Sequence, residues 1–345
     1  MPESVPVMIK NLRGTKMKKG LVGVVILLLA SMVLLVGCNS DASGDEKVTI
    51  GVTQIVEHPS LDAAFEGFKE ALAENGYVEG ENVTYDVQIA QGDMNNAQSI
   101  ANNFVGDKVD LIFANATPSA QSALNATKDI PIIFTSVTDP IGANLVASFD
   151  EPGENITGTS DTHPDAIPQT INFIVDELKP KKIGVIYNSG EQNSTVQVDV
   201  IKDVLKDTDV ELVEASISTS AEVKQAAESL VGRADAIYIP TDNTVVSALE
   251  SVIDVAQKED IPMFAGELDS VKAGAVAGSG FSYKDLGYET GEMAAQVLDG
   301  DKKPSDIPVS YPKKLKLVIN KEAAEAQGLE IKEEWGETAE FYEGE

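Results

Sequence analysis

From Val48 onward, short apolar runs rich in β-branched residues alternate with stretches whose apolar positions recur every three or four residues. This is the pattern of parallel strands covered by helices. The first run, Val48-Thr49-Ile50-Gly51-Val52, leads into a stretch that puts Leu61, Ala64, Phe65, Phe68, Ala71 and Leu72 on one helical face and stops at Asn75-Gly76. The pattern then predicts a strand from Val83 to Ile89, a helix from about 95 to 104 and a buried strand at Leu111-Ile112-Phe113. A helix over 119–127 and a fourth strand, Ile132-Ile133-Phe134, complete the first half.

The same words then recur in the same order. Lys47-Val48-Thr49-Ile50-Gly51-Val52 is answered by Lys181-Lys182-Ile183-Gly184-Val185-Ile186, and Val109-Asp110-Leu111-Ile112-Phe113 by Ala234-Asp235-Ala236-Ile237-Tyr238. Asp129-Ile130-Pro131 is answered by Asp260-Ile261-Pro262, and the spacing from Gly51 to Asp129 is 78 positions against 76 from Gly184 to Asp260. An α/β fold of two Rossmann-like lobes with parallel sheets follows. Beyond Phe264 a strand-like segment from Gly274 to Gly280, a helix from Tyr283 to Leu298, a strand from Leu315 to Ile319 and a short helix from Lys321 to Gln327 belong to neither repeat. They are read as crossing between lobes in a multi-strand hinge near 156–160, 267–273 and 305–308. The expected division is 47–156 plus 268–305 for lobe 1, 157–267 plus 306–330 for lobe 2, and an acidic tail over 331–345 that is expected to be partly disordered.

Ahead of the body, Lys18-Lys19 precede an apolar run from Leu21 to Val36, and the chain's single cysteine, Cys38, follows directly. Leu35-Val36-Gly37-Cys38 resembles the lipobox of bacterial lipoproteins, which implies a leader over 1–37, a start at Met17, acyl chains on Cys38 and a lipidated tether over 38–46. Two or three acyl chains anchor stably where one holds marginally. A transmembrane anchor is the alternative, but the run falls short of the roughly 20 apolar residues a span requires. The body is therefore expected outside the cytoplasm, fixed to the cell membrane.

Charge narrows the partners. The formal net charge of −30 becomes −34 once residues 1–37, with five Lys/Arg and one acid, are removed. Such a surface repels nucleic acid and anionic lipid alike. With Cys38 lipidated no disulfide is available, and two histidines, His58 and His163, exclude a His-rich metal site. No cofactor is expected.

Ligands of open parallel sheets bind beyond the carboxyl ends of the strands, where helix N-termini point free amides at them. The residues that follow each strand are the candidates: Thr53, Gln54 and His58; Thr117 and Ser119; Ser136 and Thr138; Asn188, Glu191 and Asn193; Thr241, Asp242 and Asn243; and Glu267. Helix capping is the competing role for several of them, since Ser, Thr, Asp and Asn accept from first-turn amides. After the leader there is one arginine, Arg233, and it precedes a strand. No guanidinium fork is thus available for a carboxylate or phosphate, whereas Asp242, Glu191 and Glu267 could meet an ammonium. The asymmetry suits a zwitterion. No nucleophile elbow, Walker loop, zincin helix or dinucleotide fingerprint occurs, so the protein is read as a binder and not an enzyme.

The segments Gly51-Val52-Thr53-Gln54-Ile55-Val56-Glu57-His58-Pro59, Ala116-Thr117-Pro118-Ser119-Ala120-Gln121, Val137-Thr138-Asp139-Pro140, Ile186-Tyr187-Asn188 and Tyr238-Ile239-Pro240-Thr241-Asp242-Asn243 resemble the tryptophan/tyrosine-type substrate-binding lipoproteins of ABC transporters. The resemblance runs from about Thr49 to Gly328. It implies a type I periplasmic-binding fold, an aromatic amino acid as ligand, a membrane permease as partner and a monomeric carrier. A sensory lipoprotein of the same fold and a surface hydrolase using His58 or paired acids are the alternatives.

Overall fold

Residue 50 onward shows how the repeat becomes structure. In the computed structural model, which describes residues 47–344, Val48–Gln54 forms β1, Pro59–Glu74 α1, Val83–Ile89 β2, Met94–Asp107 α2, Leu111–Asn115 β3, Thr117–Ala126 α3, Ile132–Val137 β4 and Ile156–Ser160 β5. The second half repeats the plan with Ala166–Leu178 as α4, Lys182–Asn188 as β6, Gln192–Leu205 as α5, Glu211–Ile217 as β7, Val223–Leu230 as α6, Ala236–Ile239 as β8, Asn243–Val246 and Leu249–Lys258 as α7 and α8, and Met263–Ala265 as β9. The first sheet has the order β2-β1-β3-β4-β5 and the second β7-β6-β8-β9, all parallel. The leader, the tether and Cys38 lie outside the described residues.

The recurring words have recurring jobs. Asp110 Oδ2 accepts from the Thr49 amide at 2.7 Å, and Asp235 Oδ2 accepts from the Lys181 and Lys182 amides at 2.7 and 2.9 Å. In each half an aspartate at the head of the third strand thus satisfies free amides at the start of the first. Gly51 and Gly184 are a second matched pair. A Cβ on Gly51 would lie 2.7 Å from the Phe104 ring and one on Gly184 2.7 Å from Leu230 Cδ1, so both let a helix lie close on its sheet. Each sheet carries apolar layers on both faces, as parallel sheets require.

The remaining elements are Leu268–Ala273 (α9), Ala277–Gly280 (β10), Tyr283–Leu298 (α10), Lys316–Asn320 (β11), Lys321–Ala326 (α11) and Glu340–Tyr342 (β12). α9 and β10 pack beside β9, and β10 pairs antiparallel with β11. Residues 268–280 therefore lie with the second sheet, where the sequence pattern had put them with the first. The reason is that Val276, just before β10, donates from its amide to the Met263 carbonyl at 2.6 Å and so continues β9's edge. α10 does return to the first sheet and lies along α1, where a Cβ on Gly287 would collide with the Ala64 carbonyl. The chain crosses between the sheets three times: after β5, at Phe281-Ser282, and between Ser310 and Lys316. Ile156–Ser160 is itself a strand of the first sheet, so the first crossing begins at Asp161 and not within 156–160.

The acidic tail packs on the second lobe over 333–342. Trp335 is buried against the Phe173 ring, 5.2 Å between centroids, with its Nε1 donating to Glu177 Oε2 at 2.7 Å. β12 adds to β11 in parallel. Trp335 and Phe341-Tyr342, the large apolar residues of the tail, thus anchor a segment whose composition points to partial disorder. Among the described residues no helix is long and apolar enough to cross a membrane.

Candidate functional site

The carboxyl ends of the two sheets face each other, and the loops that leave them meet across a cleft. Its wall is made by His58 and Leu61 at the start of α1, Ser136 and Thr138 at the end of β4, Asp161 from the first crossing, Tyr283 at the start of α10, and Asn193, Thr241, Asn243, Val246 and Glu267 from the loops and first helical turns that follow the second sheet's strands. No lysine or arginine is among them. Arg233 sits before β8, at the opposite sheet end, with Nη1 donating to the Ser229 carbonyl.

The lobes are drawn together. Ser60 Oγ, in the first turn of α1, donates to Glu267 Oε2 at 2.6 Å, and Gln192 Nε2 donates to Asp139 Oδ2 at 3.2 Å. The space left at the centre is about 10 Å³, the room of a single water molecule. A larger ligand enters only when the lobes part.

Several polar groups in and behind this wall are buried without a hydrogen-bond partner: His58 Nδ1, Ser136 Oγ, Asp161 Oδ1 and Asn193 Oδ1, with Thr53 Oγ1, Thr117 Oγ1 and Ser119 Oγ further back along the first lobe. Buried polar atoms are normally satisfied, so a cluster of such atoms at one place points to an absent polar partner. Backbone strain gathers there too. Ala116 has φ 80° and Ser136 φ 57°, the latter within a register shift between Phe134 and Val137. Residues with Cβ are held in that region only where the surroundings over-determine them.

The acids divide into two groups. Glu191 accepts from the Asn243 and Thr244 amides and from the side chains of Asn193, Asn243 and Thr244. Asp242 caps α7, accepting from the Val245 amide at 2.8 Å and from the Asn188 amide at 2.5 Å. Asn188 Nδ2 in turn donates to Thr244 Oγ1. These residues hold the second lobe's loops to one another, and neither Glu191 nor Asp242 faces the cleft. Gln54 is used in the same way in the first lobe: it donates to the Val56 carbonyl and Asp62 and accepts from Asn115 Nδ2. Gln54, Asn188, Glu191 and Asp242 all lie at the carboxyl ends of the strands or just beyond, but local hydrogen bonds consume their polar atoms.

Asp161 and Glu267 do face the cleft. Burial pushes both carboxyls above their ordinary range. Glu267 caps α9 through the Asp269 and Ser270 amides and the Ser270 hydroxyl. Asp161 accepts from Tyr283 OH at 2.7 Å through Oδ2 and leaves Oδ1 open. Asp161, Tyr283, Leu61 and Val246 escaped the sequence reading: Asp161 lies in a crossing, Tyr283 opens the helix α10, Leu61 reads as helix core, and Val246 lies in a one-turn helix that the pattern does not predict. Burial lowers the His58 imidazole to about 4, with the nearby Asn243 side chain and the charge of Asp269 pulling the other way, so it is neutral at pH 7. Among the described residues no group of acids, histidines or cysteines is arranged to hold a metal.

The profile of the ABC transporter substrate binding protein family matches residues 49–340. The chain is 47% identical over 325 residues, 90% of its length and 93% of the relative's, to a tyrosine-binding protein of Clostridioides difficile strain R20291. A domain solved with L-Trp from Streptococcus pneumonia is 35% identical, with a TM-score of 0.80 over 86% of this chain and 99% of that one. A ligand-free, open substrate-binding protein with adhesive properties from Clostridium difficile is 44% identical, with a TM-score of 0.62 over 86% and 100%. The greater likeness to the liganded relative, despite lower identity, accords with lobes held together here. The architecture is the type I periplasmic-binding fold.

Proposed function

The chain belongs to the ABC transporter substrate binding protein family, and from that premise we propose that its cleft closes on a free aromatic amino acid, tyrosine or tryptophan. It is an extracytoplasmic substrate-binding protein. The observation that carries the choice of ligand is Asp161: a buried carboxylate with one oxygen unpaired, in a cleft without a cationic side chain. An α-ammonium would supply the missing partner and draw the carboxyl back to its ionised form. The α-carboxylate would rest on the Ser136 and Thr138 hydroxyls and the N-terminal amides of α3. Leu61 and Val246, one from each lobe, would close on the ring beside Tyr283. The relatives named for tyrosine and solved with L-Trp support the aromatic class.

The lipobox-like Leu35-Val36-Gly37-Cys38 supports anchoring through acyl chains on Cys38, which would hold the carrier beside a membrane permease as a monomer. Calorimetric titration with L-tyrosine, L-tryptophan, N-acetyl-L-tyrosine and tyramine tests the reading. The two free amino acids bind and both derivatives are weakened at least a hundredfold. Equal binding of N-acetyl-L-tyrosine would remove the ammonium from the recognition and Asp161 from its role.

A further inference from the structure

Beside its acids, the cleft wall has a corner made of hydrogen-bond acceptors. Glu191 Oε2 accepts from Asn193 Nδ2 at 3.1 Å and from Asn243 Nδ2 at 2.6 Å, so one carboxylate orients both amides. Their nitrogens turn to it and their carbonyl ends are left over. Asn193 Oδ1 is buried without a partner, and no hydrogen bond engages Asn243 Oδ1 among the described residues. His58 meets them from the other lobe: its neutral imidazole lies near the Asn243 side chain, and its Nδ1 is buried and unpartnered. A neutral imidazole holds one N–H and one bare nitrogen. The Asn243 carbonyl oxygen is at hand for the N–H, whereas the bare nitrogen and Asn193 Oδ1 have no donor from the protein. His58, Asn193 and Asn243 are 9%, 2% and 6% exposed, too deep for bulk water to serve them. The imidazole is also held in place. Pro59 confines the His58 backbone to the extended region, φ −160° and ψ 156°, and the His58 carbonyl accepts from the Asp62 amide at 3.1 Å.

We infer that this corner reads the polar atom of the ligand's ring: the phenol O–H of tyrosine or the indole N–H of tryptophan donates to His58 and Asn193, and phenylalanine, with nothing to donate, is rejected. The inference rests on the reading of the ligand as an aromatic amino acid and adds the basis of choice within that class. Position supports it. His58 and Leu61 stand three residues apart at the start of α1, as Asn243 and Val246 do in α7, and all four line the cleft. Residues at that spacing share a helical face, so each lobe sets a polar group next to an apolar one. A ring held between Leu61 and Val246 therefore has His58 and Asn243 at its edge. Chemistry sets the size of the effect. A site whose buried polar groups await a partner rejects the analogue that lacks it more strongly than an apolar pocket rejects a missing methylene. An ammonium is a donor too, but all three amino acids carry one, so a corner that bound it would not tell tyrosine from phenylalanine.

The solved relatives comprise only the part matched here, 86% of this chain and 99–100% of theirs, so the body from Lys47 onward folds by itself and serves as the sample. Calorimetric titration of the wild type with L-tyrosine, L-tryptophan, L-phenylalanine and 4-fluoro-L-phenylalanine is the first arm. The last two keep the ammonium and the carboxylate, and the fluorine fills much of the room of the hydroxyl without donating. Both bind at least tenfold more weakly than tyrosine. The second arm is His58→Leu, which lowers the tyrosine-to-phenylalanine affinity ratio at least fivefold; thermal unfolding of the variant shows that it is folded, and the fluorinated ligand tests the corner without any substitution. A wild-type ratio under tenfold for either phenylalanine would overturn the inference and leave the aromatic amino acid reading standing, as would a smaller change of ratio in His58→Leu, which would give the corner to the ammonium or to the fold. Failure of tyrosine and tryptophan alike to bind would overturn the reading of the ligand itself, and this inference with it.

Discussion

Ser60 and Glu267, 207 residues apart, meet at 2.6 Å across the cleft, Ser60 Oγ donating to Glu267 Oε2. The serine belongs to the first turn of the first lobe's leading helix, and the glutamate caps α9 on the second. Glu267 keeps the Asp269 and Ser270 amides whatever the lobes do, because those donors are local. The serine is the donor that arrives only on closure, and it arrives at a carboxylate that burial has made costly to ionise.

Ser60→Ala should therefore weaken the closed form and spare the fold. A hydrogen bond to a charged group is worth about 1.5–3 kcal/mol, so ligand affinity falls by at least about tenfold while the ligand-free melting temperature holds. Calorimetry and thermal unfolding on the same variant check this. An unchanged affinity would mean the contact is incidental to closure.

Asp161→Asn reverses the usual relation between stability and function. One carboxylate oxygen is buried without a partner, and removing the charge relieves that cost. The ligand-free melting temperature holds or rises, while affinity for the amino acid drops by at least a hundredfold. A variant that binds as the wild type does would move the ammonium elsewhere, with Glu267 the next acid on the wall.

The repeated plan was readable because its parts serve local ends: Asp110 and Asp235 satisfy first-strand amides, and Gly51 and Gly184 admit a close helix. The rim was readable for the same reason, since every parallel strand must hand its chain to a helix at its carboxyl end. What a rim residue does there was not. Glu191 and Asp242 have the chemistry of ammonium ligands, yet both spend it on neighbouring amides, and only the folded loops decide that. Asp161 was missed because it lies in a crossing, which carries no period. In the tail, composition speaks for the run of acids that faces water, while one tryptophan and a short parallel strand fix where the segment packs.

That tail yields a stability prediction. Trp335 fills a place against Phe173 in the core of the second lobe and is the chain's only tryptophan. Trp335→Ala costs about 3–5 kcal/mol, the range for deleting a large buried aromatic, and lowers the midpoint of urea unfolding accordingly. In the wild type, intrinsic tryptophan fluorescence follows unfolding of the second lobe. A loss below about 1 kcal/mol would show that the segment is peripheral.

The pH dependence of stability turns on Asp242. Burial first, and the neighbouring Glu191 charge second, push its carboxyl up to about 7, whereas in the unfolded chain it titrates near the ordinary value of about 3.9. The native state thus holds the proton over that window and the unfolded state does not, so Asp242's contribution is full below about 3.9 and is lost as pH rises to about 7. Asp161 and Glu267, raised by burial, act with the same sign. His58 acts oppositely: with its imidazole lowered to about 4 from an ordinary 6.5, its contribution is full above 6.5 and lost as pH falls toward 4. The two effects oppose each other up to about pH 6.5, and above it the acids act alone. The urea midpoint of the body from Lys47 onward should accordingly fall between pH 6 and pH 8. Asp242→Asn is less stable throughout, since an amide oxygen cannot serve both the Val245 and the Asn188 amides, but its midpoint falls less over that interval. A slope equal to the wild type's would assign the titration to another of the buried acids.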